Sequence, residues 1–388
     1  MDKECSQFWW ESITGPASIV KKVVEALQDG RYAVLEIPSD LPWRDEMRVM
    51  TETALRDSAD TEDFMIDIID VKDTCGDQEP GRFLLKRYSR EAAVRDGYRS
   101  RKGKTIQDYL IENGVLNNIV VWVKGIPENK TEEWIRFVAD CKSHSIRTGL
   151  FVMEIQDRQA ISLPQDFCVL RYQDMVSTYD VQLLNSLLLD DEKNDLTWCS
   201  YIATVAATLC KTDAEVSADL VQECDWKTEN PIDRLKEMAQ SEEYNRRGAD
   251  PGSTHVFALC RAGEDERLEK RLWMAQVKVL FPILEMERRK IIEKYDDELN
   301  KALQYEHVKQ FNKDVIDPYE LELGTLDYLM SHRNQSGKYI VYIPDEEDRK
   351  MISFLRDCRN HLAHASSCSP EQVGRIIEIA EESGLAQK

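Results

Sequence analysis

The 388-residue sequence lacks several short patterns that would identify a function directly. None of its ten cysteines forms a CxxC pair, and its six histidines complete no zinc pattern. No run of roughly 18 apolar residues could span a bilayer, and the opening residues, MDKECSQFWW, have no apolar signal core. These absences predict a cytoplasmic protein with reduced thiols, no membrane partner, and neither a metal nor a cofactor.

Positive charge is also scarce. The chain has 51 Lys and Arg residues against 72 Asp and Glu residues, a formal net charge of −21. This excess argues against a general nucleic-acid coat and against an anionic membrane partner, although it leaves room for a local basic site. The length favours two or three domains.

Strand-like apolar runs alternate with helical segments through the first half of the chain. The runs lie at 32–37, 64–71, 117–126, 149–156 and 166–172. Helical patterns start near Trp43 and cover 106–114 and 130–145. Strands that are separated by helices imply right-handed crossovers, so the sequence predicts a mostly parallel α/β domain over about residues 1–190.

The layout of this domain resembles P-loop NTPases of the AAA or STAND kind, because WWESITGPASIVKKVVEALQDG leads into the first strand, a loop and a helix. A phosphate-binding loop needs glycines, a Lys and a Ser or Thr, whereas the corresponding loop, PSDLPWRDEM, has no glycine and no Lys. The strand NNIVVWVKGIP ends in Lys124 and Gly125, where paired carboxylates would hold a metal. The resemblance therefore implies a degenerate NTPase-like domain that regulates the protein or docks a protein partner.

The remainder of the chain is predicted to be helical, with a connecting region at 191–260 and a bundle at 261–388. The loop NRRGADPGSTH, at 245–255, ends the connecting region. A long helix follows from about residue 264, and a second helix has Pro318 in its first turn. GKYIVYIPDEED is a strand-like insertion, Asp345 opens the next helix, and SPEQVGRIIEIAEESG forms the last one.

The helix that follows Asp345 contains RDCRNHLAH, residues 356–364. Its predicted core stripe is Met351, Leu355, Cys358 and Leu362. Arg356, Asn360 and His364 share another face, and Arg359 lies one step aside, with an arm long enough to reach His364. The segment has two overlapping registers. One is R-N-x-x-x-H, formed by Arg359, Asn360 and His364, and the other is R-D-x-x-x-H, formed by Arg356, Asp357 and His361.

The motif and the order of the helices around it resemble the HEPN superfamily, helical bundles of which many members are ribonucleases. The resemblance covers roughly residues 264–388 and implies metal-independent RNA cleavage in a cleft that two motifs build across a homodimer. It assigns transition-state charge to Arg359, positioning to Asn360 and proton transfer to His364. Arg356 and His361 are auxiliary, and we expect His361 nearer the edge of the core. The residue types suit the chemistry, because His titrates near neutrality and Arg holds phosphate charge.

Three functions remain open from the sequence. The first is a HEPN ribonuclease effector with a regulatory NTPase-like domain, acting on an RNA substrate in prokaryotic antiviral defence or as a toxin. The second is a non-catalytic HEPN dimerisation or interaction protein, which docks a partner through its α/β domain. The third is a working NTPase, which the missing Lys disfavours.

Overall fold

The computed structural model describes residues 2–57, 63–99, 104–141, 149–156, 163–190, 195–250, 252–305, 308–310 and 312–382. The chain folds as two compact units, Met1–Asp180 and Val181–Lys388, which we call the N-terminal and C-terminal units. The domain limits predicted at residues 190 and 260 stay a prediction. Among the described residues, no helix combines the length and the apolar character needed to cross a membrane.

The N-terminal unit is built on a sheet of five parallel strands. They are β1 Ala33–Ile37, β2 Met65–Asp70, β3 Ile119–Lys124, β4 Leu150–Gln156 and β5 Cys168–Arg171. Their order is β2-β3-β4-β1-β5, and every pair is parallel. The inner strands are nearly continuous apolar runs, as expected for parallel strands that are covered on both faces. The predicted parallel α/β architecture is confirmed.

Helices follow the strands of this unit. They are α1 Asp2–Glu11, α2 Thr14–Gln28, α3 Arg44–Arg56, α4 Pro80–Tyr88, α5 Ala92–Gly97, α6 Ile106–Glu112, α7 Glu128–Asp140 and α8 Tyr172–Met175, with a π-helical turn at Val71–Cys75. Local signals explain several of the starts: Pro80 is the first residue of α4, and Thr105 and Asp108 form a capping box on α6. The helix predicted at 130–145 is α7, and residues 142–148 lie outside the described residues.

The strand order places the end of β1 at a switch point of the sheet. After β1 the chain crosses to β2 at the far edge, and after β4 it crosses back to β5 on the other side of β1. Neighbouring strands β1 and β4 therefore send their connections in opposite directions, which opens a crevice at their carboxyl ends. The loop after β1 and the end of β4 are the places in this unit where a ligand site is expected.

The C-terminal unit is almost entirely helical. Its helices are α9 Thr178–Leu188, which crosses the unit boundary, α10 Leu196–Cys210, α11 Ala214–Glu223, α12 Pro231–Met238, α13 Val256–Ala262, α14 Asp265–Lys294, α15 Asp296–Tyr305, α16 Leu323–Ser331, α17 Glu346–Ala363 and α18 Pro370–Glu382. Two 3₁₀ turns, Glu242–Tyr244 and Pro318–Glu320, and a hairpin of β6 Lys309–Gln310 and β7 Lys313–Asp314 complete the described elements. A single apolar core joins α10–α18.

The long helix α14 organises this core. The helix continues through Pro282 and buries one apolar stripe along its length. Buried Gln276 binds the backbone of Cys368 twice, with Oε1 accepting from the amide at 2.6 Å and Nε2 donating to the carbonyl at 3.0 Å. Trp273 Nε1 donates to the carbonyl of Leu362 at 2.6 Å. These bonds fix both the end of α17 and the start of α18 against α14.

Two details of the predicted bundle are wrong. Pro318 begins a separate 3₁₀ turn, and α16 starts only at Leu323, because Leu321 and Glu322 are extended and Leu321 is fully buried. Among the described residues, the insertion at 338–345 forms no strand, and its ladder contact is the isolated bridge between Arg333 and Tyr339. Its alternating pattern arises from a chain that packs one side against the core without a partner strand.

Candidate functional site

Helix α17 forms where the sequence predicts it and carries the motif at its C-terminal end. Asp345 caps it by accepting a hydrogen bond from Glu347 N at 2.9 Å. The buried side chains are Ile352, Leu355, Cys358 and Leu362, so Ile352 takes the core position predicted for the partly buried Met351. The helix ends at Ala363, and the backbone N–H of His364 donates to Asn360 O at 3.0 Å.

Arg359 is held by a carboxylate of the helix next to it. Its Nη2 donates to Glu322 Oε2 at 2.9 Å, at the start of α16. Its Nη1 lies 3.5 Å from Asn360 Oδ1, a weak contact. The side chain is 27% exposed, so part of its donor fork faces solvent. Arg359 is therefore paired towards α16.

Arg356 is held in the same way one turn earlier. Its Nη1 pairs with Asp327 of α16, and its Nη2 donates to Asp357 at 2.6 Å. The hydrogen bond that Arg356 donates to Asp357, with the charge of Asp327, raises the pKa of the Arg356 guanidinium against the opposing effect of burial. Asp327 is buried and also accepts from Ser353. Helix α16 thus supplies one carboxylate to each arginine of the segment.

The two histidines of the segment are both exposed. His361 Nδ1 lies 3.5 Å from Gln372 Nε2 of α18. His364 follows the last helical residue, and its imidazole makes no hydrogen bond or ion pair within the part of the chain that is described.

The structure brings Arg359, Asn360 and His364 to one end of α17, with Arg356 and His361 within two turns. An exposed imidazole can accept and return a proton near neutral pH. A guanidinium with unused donors can hold a phosphate oxygen. Among the described residues, no three His, Cys, Asp or Glu side chains converge as metal ligands would. The donor set suits proton transfer beside a bound anion.

The loop after β1 is filled by its own arginine. Arg44 Nη2 donates to Pro38 O at 2.6 Å and to Ser39 O at 3.1 Å. The loop therefore turns carbonyl acceptors towards a cation, whereas a phosphate-binding loop turns N–H donors towards an anion. Burial, with the charge of Arg48, holds the pKa of Arg44 below its ordinary value against the pull of Glu154.

Trp43, directly before Arg44, adopts a left-handed conformation with φ of 42°. Glycine is best suited to this region, and a tryptophan there costs on the order of 1 kcal/mol. Its neighbours stabilise the conformation: Trp10 Nε1 donates to Trp43 O at 3.0 Å, and the Trp9 ring packs edge-on at 6.3 Å.

A buried carboxylate at the end of β4 was not found from the sequence. Glu154 is 5% exposed and binds Arg48 of α3 through both oxygens, at 2.7 and 2.8 Å. It also accepts from Trp122 Nε1 of β3 at 2.7 Å. The signal that could have revealed it is one acidic residue inside the apolar run GLFVMEIQ, since a buried charge needs a buried partner.

At the end of β3, where a metal-binding pair would stand, Lys124 Nζ lies 3.8 Å from Asp70 Oδ2 of β2. Gly125 has φ of 64°, and a Cβ there would lie 2.3 Å from Asp70 Oδ1. A side chain at this position would collide with the carboxylate, so glycine is required by space as well as by backbone conformation.

No model of a known protein family matches the chain, and no curated protein or solved structure matches it either.

Proposed function

We propose that the protein is a metal-independent ribonuclease of the HEPN kind, with the motif Arg359, Asn360 and His364 as its reacting site. The observation that carries the proposal is the exposed imidazole of His364 just beyond the end of α17, one turn after Arg359 and Asn360. An imidazole with no partner among the described residues is available to a substrate, whereas a histidine that only packs would be covered or bonded.

The proposed reaction uses a ribose of the RNA as its own nucleophile. His364 takes the proton of the 2′-hydroxyl while that oxygen attacks phosphorus. The bond between phosphorus and the 5′-oxygen then breaks, and the leaving oxygen takes a proton from the imidazolium or from water. Arg359 stabilises the charge that gathers on the phosphorane, and Asn360 orients the histidine or a phosphate oxygen. The products are a 2′,3′-cyclic phosphate and a 5′-hydroxyl.

The direct test is incubation of the purified chain with total RNA in EDTA, followed by mapping of the cleaved ends. Cleavage with 2′,3′-cyclic phosphate ends supports the proposal. His364→Ala and Arg359→Ala should each lower the rate, by about 10²–10⁴-fold and 10²–10³-fold respectively, while the protein stays folded. His361→Ala is the matched control and should do much less. An inactive His361→Ala protein beside an active His364→Ala protein would show that the other register is the working one.

A second function is favoured by the two ion pairs between α16 and α17. Glu322 with Arg359 and Asp327 with Arg356 can serve as clamps in a bundle that only dimerises or docks a partner. In this alternative the motif is structural and the α/β unit carries the partner surface. RNA that stays intact with the native chain, together with a lower melting temperature in Arg359→Ala, would favour this function.

For the N-terminal unit we propose regulation without nucleotide hydrolysis. The loop whose carbonyls bind Arg44 and the Lys124–Asp70 pair both support it. A ribonuclease that cuts cellular RNA would kill its own cell unless it were regulated. A regulatory N-terminal unit joined to a ribonuclease unit therefore fits a cytoplasmic antiviral-defence or toxin protein. Toxicity on expression in bacteria, lost with His364→Ala, tests this setting.

A further inference from the structure

The last turn of α16 and the segment between α16 and α17 present aromatic and cationic side chains to solvent. Its members, which we call the tyrosine surface, are Tyr328, His332, Arg333, Lys338, Tyr339 and Tyr342. The three tyrosines are 50%, 41% and 63% exposed. Large aromatic groups exposed together mark an interaction site more often than they mark an ordinary surface.

The side chains are already arranged in stacks. The Tyr328 and His332 rings lie parallel within 28°, with centroids 4.0 Å apart. The Arg333 guanidinium lies 4.7 Å from the centroid of the Tyr339 ring. The centroids of the Tyr339 and Tyr342 rings are 6.5 Å apart. Flat rings and a guanidinium plane are the groups on which unpaired bases stack.

The backbone beneath the tyrosine surface is well fixed. Arg333 and Tyr339 form an antiparallel bridge, and Arg333 Nη1 donates to Gly337 O at 2.9 Å. Asn334 N donates to Lys338 O at 2.7 Å, and Ile340 N donates to His332 O at 3.0 Å. The stacks therefore stand on a closed turn that is ordered before any partner binds, which lowers the entropic cost of binding.

The local charge also sets this surface apart. Residues 328–343 contain no Asp or Glu, although the chain has 72 of them in 388 residues. The same stretch holds Arg333 and Lys338 as well as His332. In a chain of net charge −21, this is a place where a polyanion can approach without meeting a carboxylate of the segment itself.

The tyrosine surface and the proposed reacting site lie towards opposite ends of α17, because Tyr342 precedes its first residue and His364 follows its last. Asp327, the residue before Tyr328, pairs with Arg356 of α17 and accepts from Ser353 of the same helix. Since Glu322 pairs with Arg359 and Asp327 with Arg356, α16 and α17 run antiparallel. An RNA strand that stacks on Tyr328 therefore reaches His364 by running along α17, which is about 27 Å long at 1.5 Å per residue.

We propose that the tyrosine surface binds the unpaired bases of single-stranded RNA, with Arg333 and Lys338 holding the adjoining phosphates. The inference rests on the proposed ribonuclease function and names its substrate class as single-stranded RNA. Duplex RNA would be bound poorly, because its bases are stacked inside the helix and are closed to the tyrosines.

The test measures RNA binding with a variant that cannot cut the RNA. Fluorescein-labelled single-stranded RNA of mixed sequence is titrated with the His364→Ala chain in EDTA, and anisotropy gives the affinity. Tyr339→Ala and Tyr342→Ala, added to this background, should each weaken binding by about five- to a hundredfold, and Tyr339→Phe should restore it. Tyr305→Ala, at an 81% exposed tyrosine at the end of α15, is the matched control and should bind unchanged. Lys338→Gln should flatten the salt dependence by about one phosphate contact.

Each result separates the surface from the reacting site. Unchanged affinity in both alanine variants, or equal affinity for a duplex of the same sequence, overturns the inference. A change of molecular mass in the alanine variants with RNA affinity intact identifies a protein interface and overturns it as well. Tyrosine-dependent binding by a native chain that cleaves no RNA supports the surface and rejects only the ribonuclease.

Discussion

At the scale of single residues, the ion pair between Arg359 and Glu322 sets how freely the motif can hold a phosphate. A carboxylate beside the guanidinium orients it, but it also competes with an incoming phosphate and repels it. We predict that Glu322→Gln raises RNA affinity and cleavage up to about fivefold, because a partly exposed pair is worth at most about 1 kcal/mol. The measurement is the single-turnover rate in EDTA.

Glu320→Gln provides the matched control for this prediction. It makes the same change of charge two residues earlier, at an exposed position in the 3₁₀ turn Pro318–Glu320. Equal gains in both variants would indicate a general effect of charge. A loss of activity in Glu322→Gln alone would show that the carboxylate is needed to place Arg359.

The thiols provide a second prediction at this scale. Burial raises the pKa of Cys141 and of Cys224 to about 12, and that of Cys260 to about 11. Since the thiolate is the reactive form, these groups should react slowly with a disulfide reagent at pH 8. Mass spectrometry should find them unlabelled in the native chain, and all ten thiols should react in denaturant. Rapid native labelling of Cys141 would contradict its burial.

At the scale of elements, Asp213 joins α11 to the loop before α13. It accepts from Val216 N at 3.1 Å, pairs with Arg247 at 2.6 Å and contacts His255 Nε2 at 2.9 Å. Burial would raise the pKa of Asp213, but Arg247 and His255 outweigh it and hold that pKa below its ordinary value. We predict that Asp213→Asn lowers the free energy of unfolding by about 1.5–3 kcal/mol, because Arg247 loses one charged partner but keeps its pair with Glu215.

The sign of the pH dependence follows from that depressed pKa. The stabilisation is fully present above the unfolded pKa of about 3.9 and is lost as the pH falls through the lower folded value. Urea unfolding should therefore show a constant deficit for Asp213→Asn from pH 5 to 8 that narrows below about pH 4. Asp233→Asn, at an exposed helix position, is the control and should change stability by less than about 1 kcal/mol. A deficit that stayed unchanged down to pH 2 would contradict the linkage.

The loop after β1 gives a second prediction for an element. Because its carbonyls bind Arg44 and its prolines remove backbone donors, the native chain should give no calorimetric sign of ATP binding at micromolar concentration. Micromolar affinity that is lost when residues 38–43 are replaced would contradict this prediction. If the native chain binds no ATP, replacing residues 38–43 should leave the heat of ATP injection unchanged.

Elements were predicted well where the signal is local. Buried parallel strands are apolar and β-branched along their length, so all five strands were located, and Asp345 and Pro370 marked the starts of α17 and α18. The strand order and the pairs Arg359–Glu322 and Glu154–Arg48 could not be read from the sequence. The two residues of each pair are 37 and 106 positions apart in the sequence. The periodicity of a helix or strand does not determine which distant segments come into contact.

At the scale of the whole molecule, a net charge of −21 would repel an RNA substrate everywhere only if the carboxylates were evenly spread over the surface. Residues 328–343 carry no carboxylate, and the acidic residues Glu322, Asp327 and Asp357 beside the motif are paired with arginines. A polyanion would therefore meet a small permissive surface on an acidic body. Such a distribution favours a few specific phosphate contacts and disfavours non-specific coating of RNA.

The last prediction concerns the homodimer that the HEPN resemblance implies. One motif supplies a single histidine and a single arginine, so a cleft that uses two of each needs a second chain with two-fold symmetry. Light scattering at micromolar concentration should give twice the 45.0 kDa of one chain.

If the cleft is shared, mixing inactive His364→Ala and Arg359→Ala chains should restore part of the activity after subunit exchange. The reason is that the hybrid dimer keeps one His364 and one Arg359. Mixing either variant with a chain that carries both substitutions should restore none. A mass of 45.0 kDa with and without RNA, in a chain that still cleaves, would show that each motif acts alone.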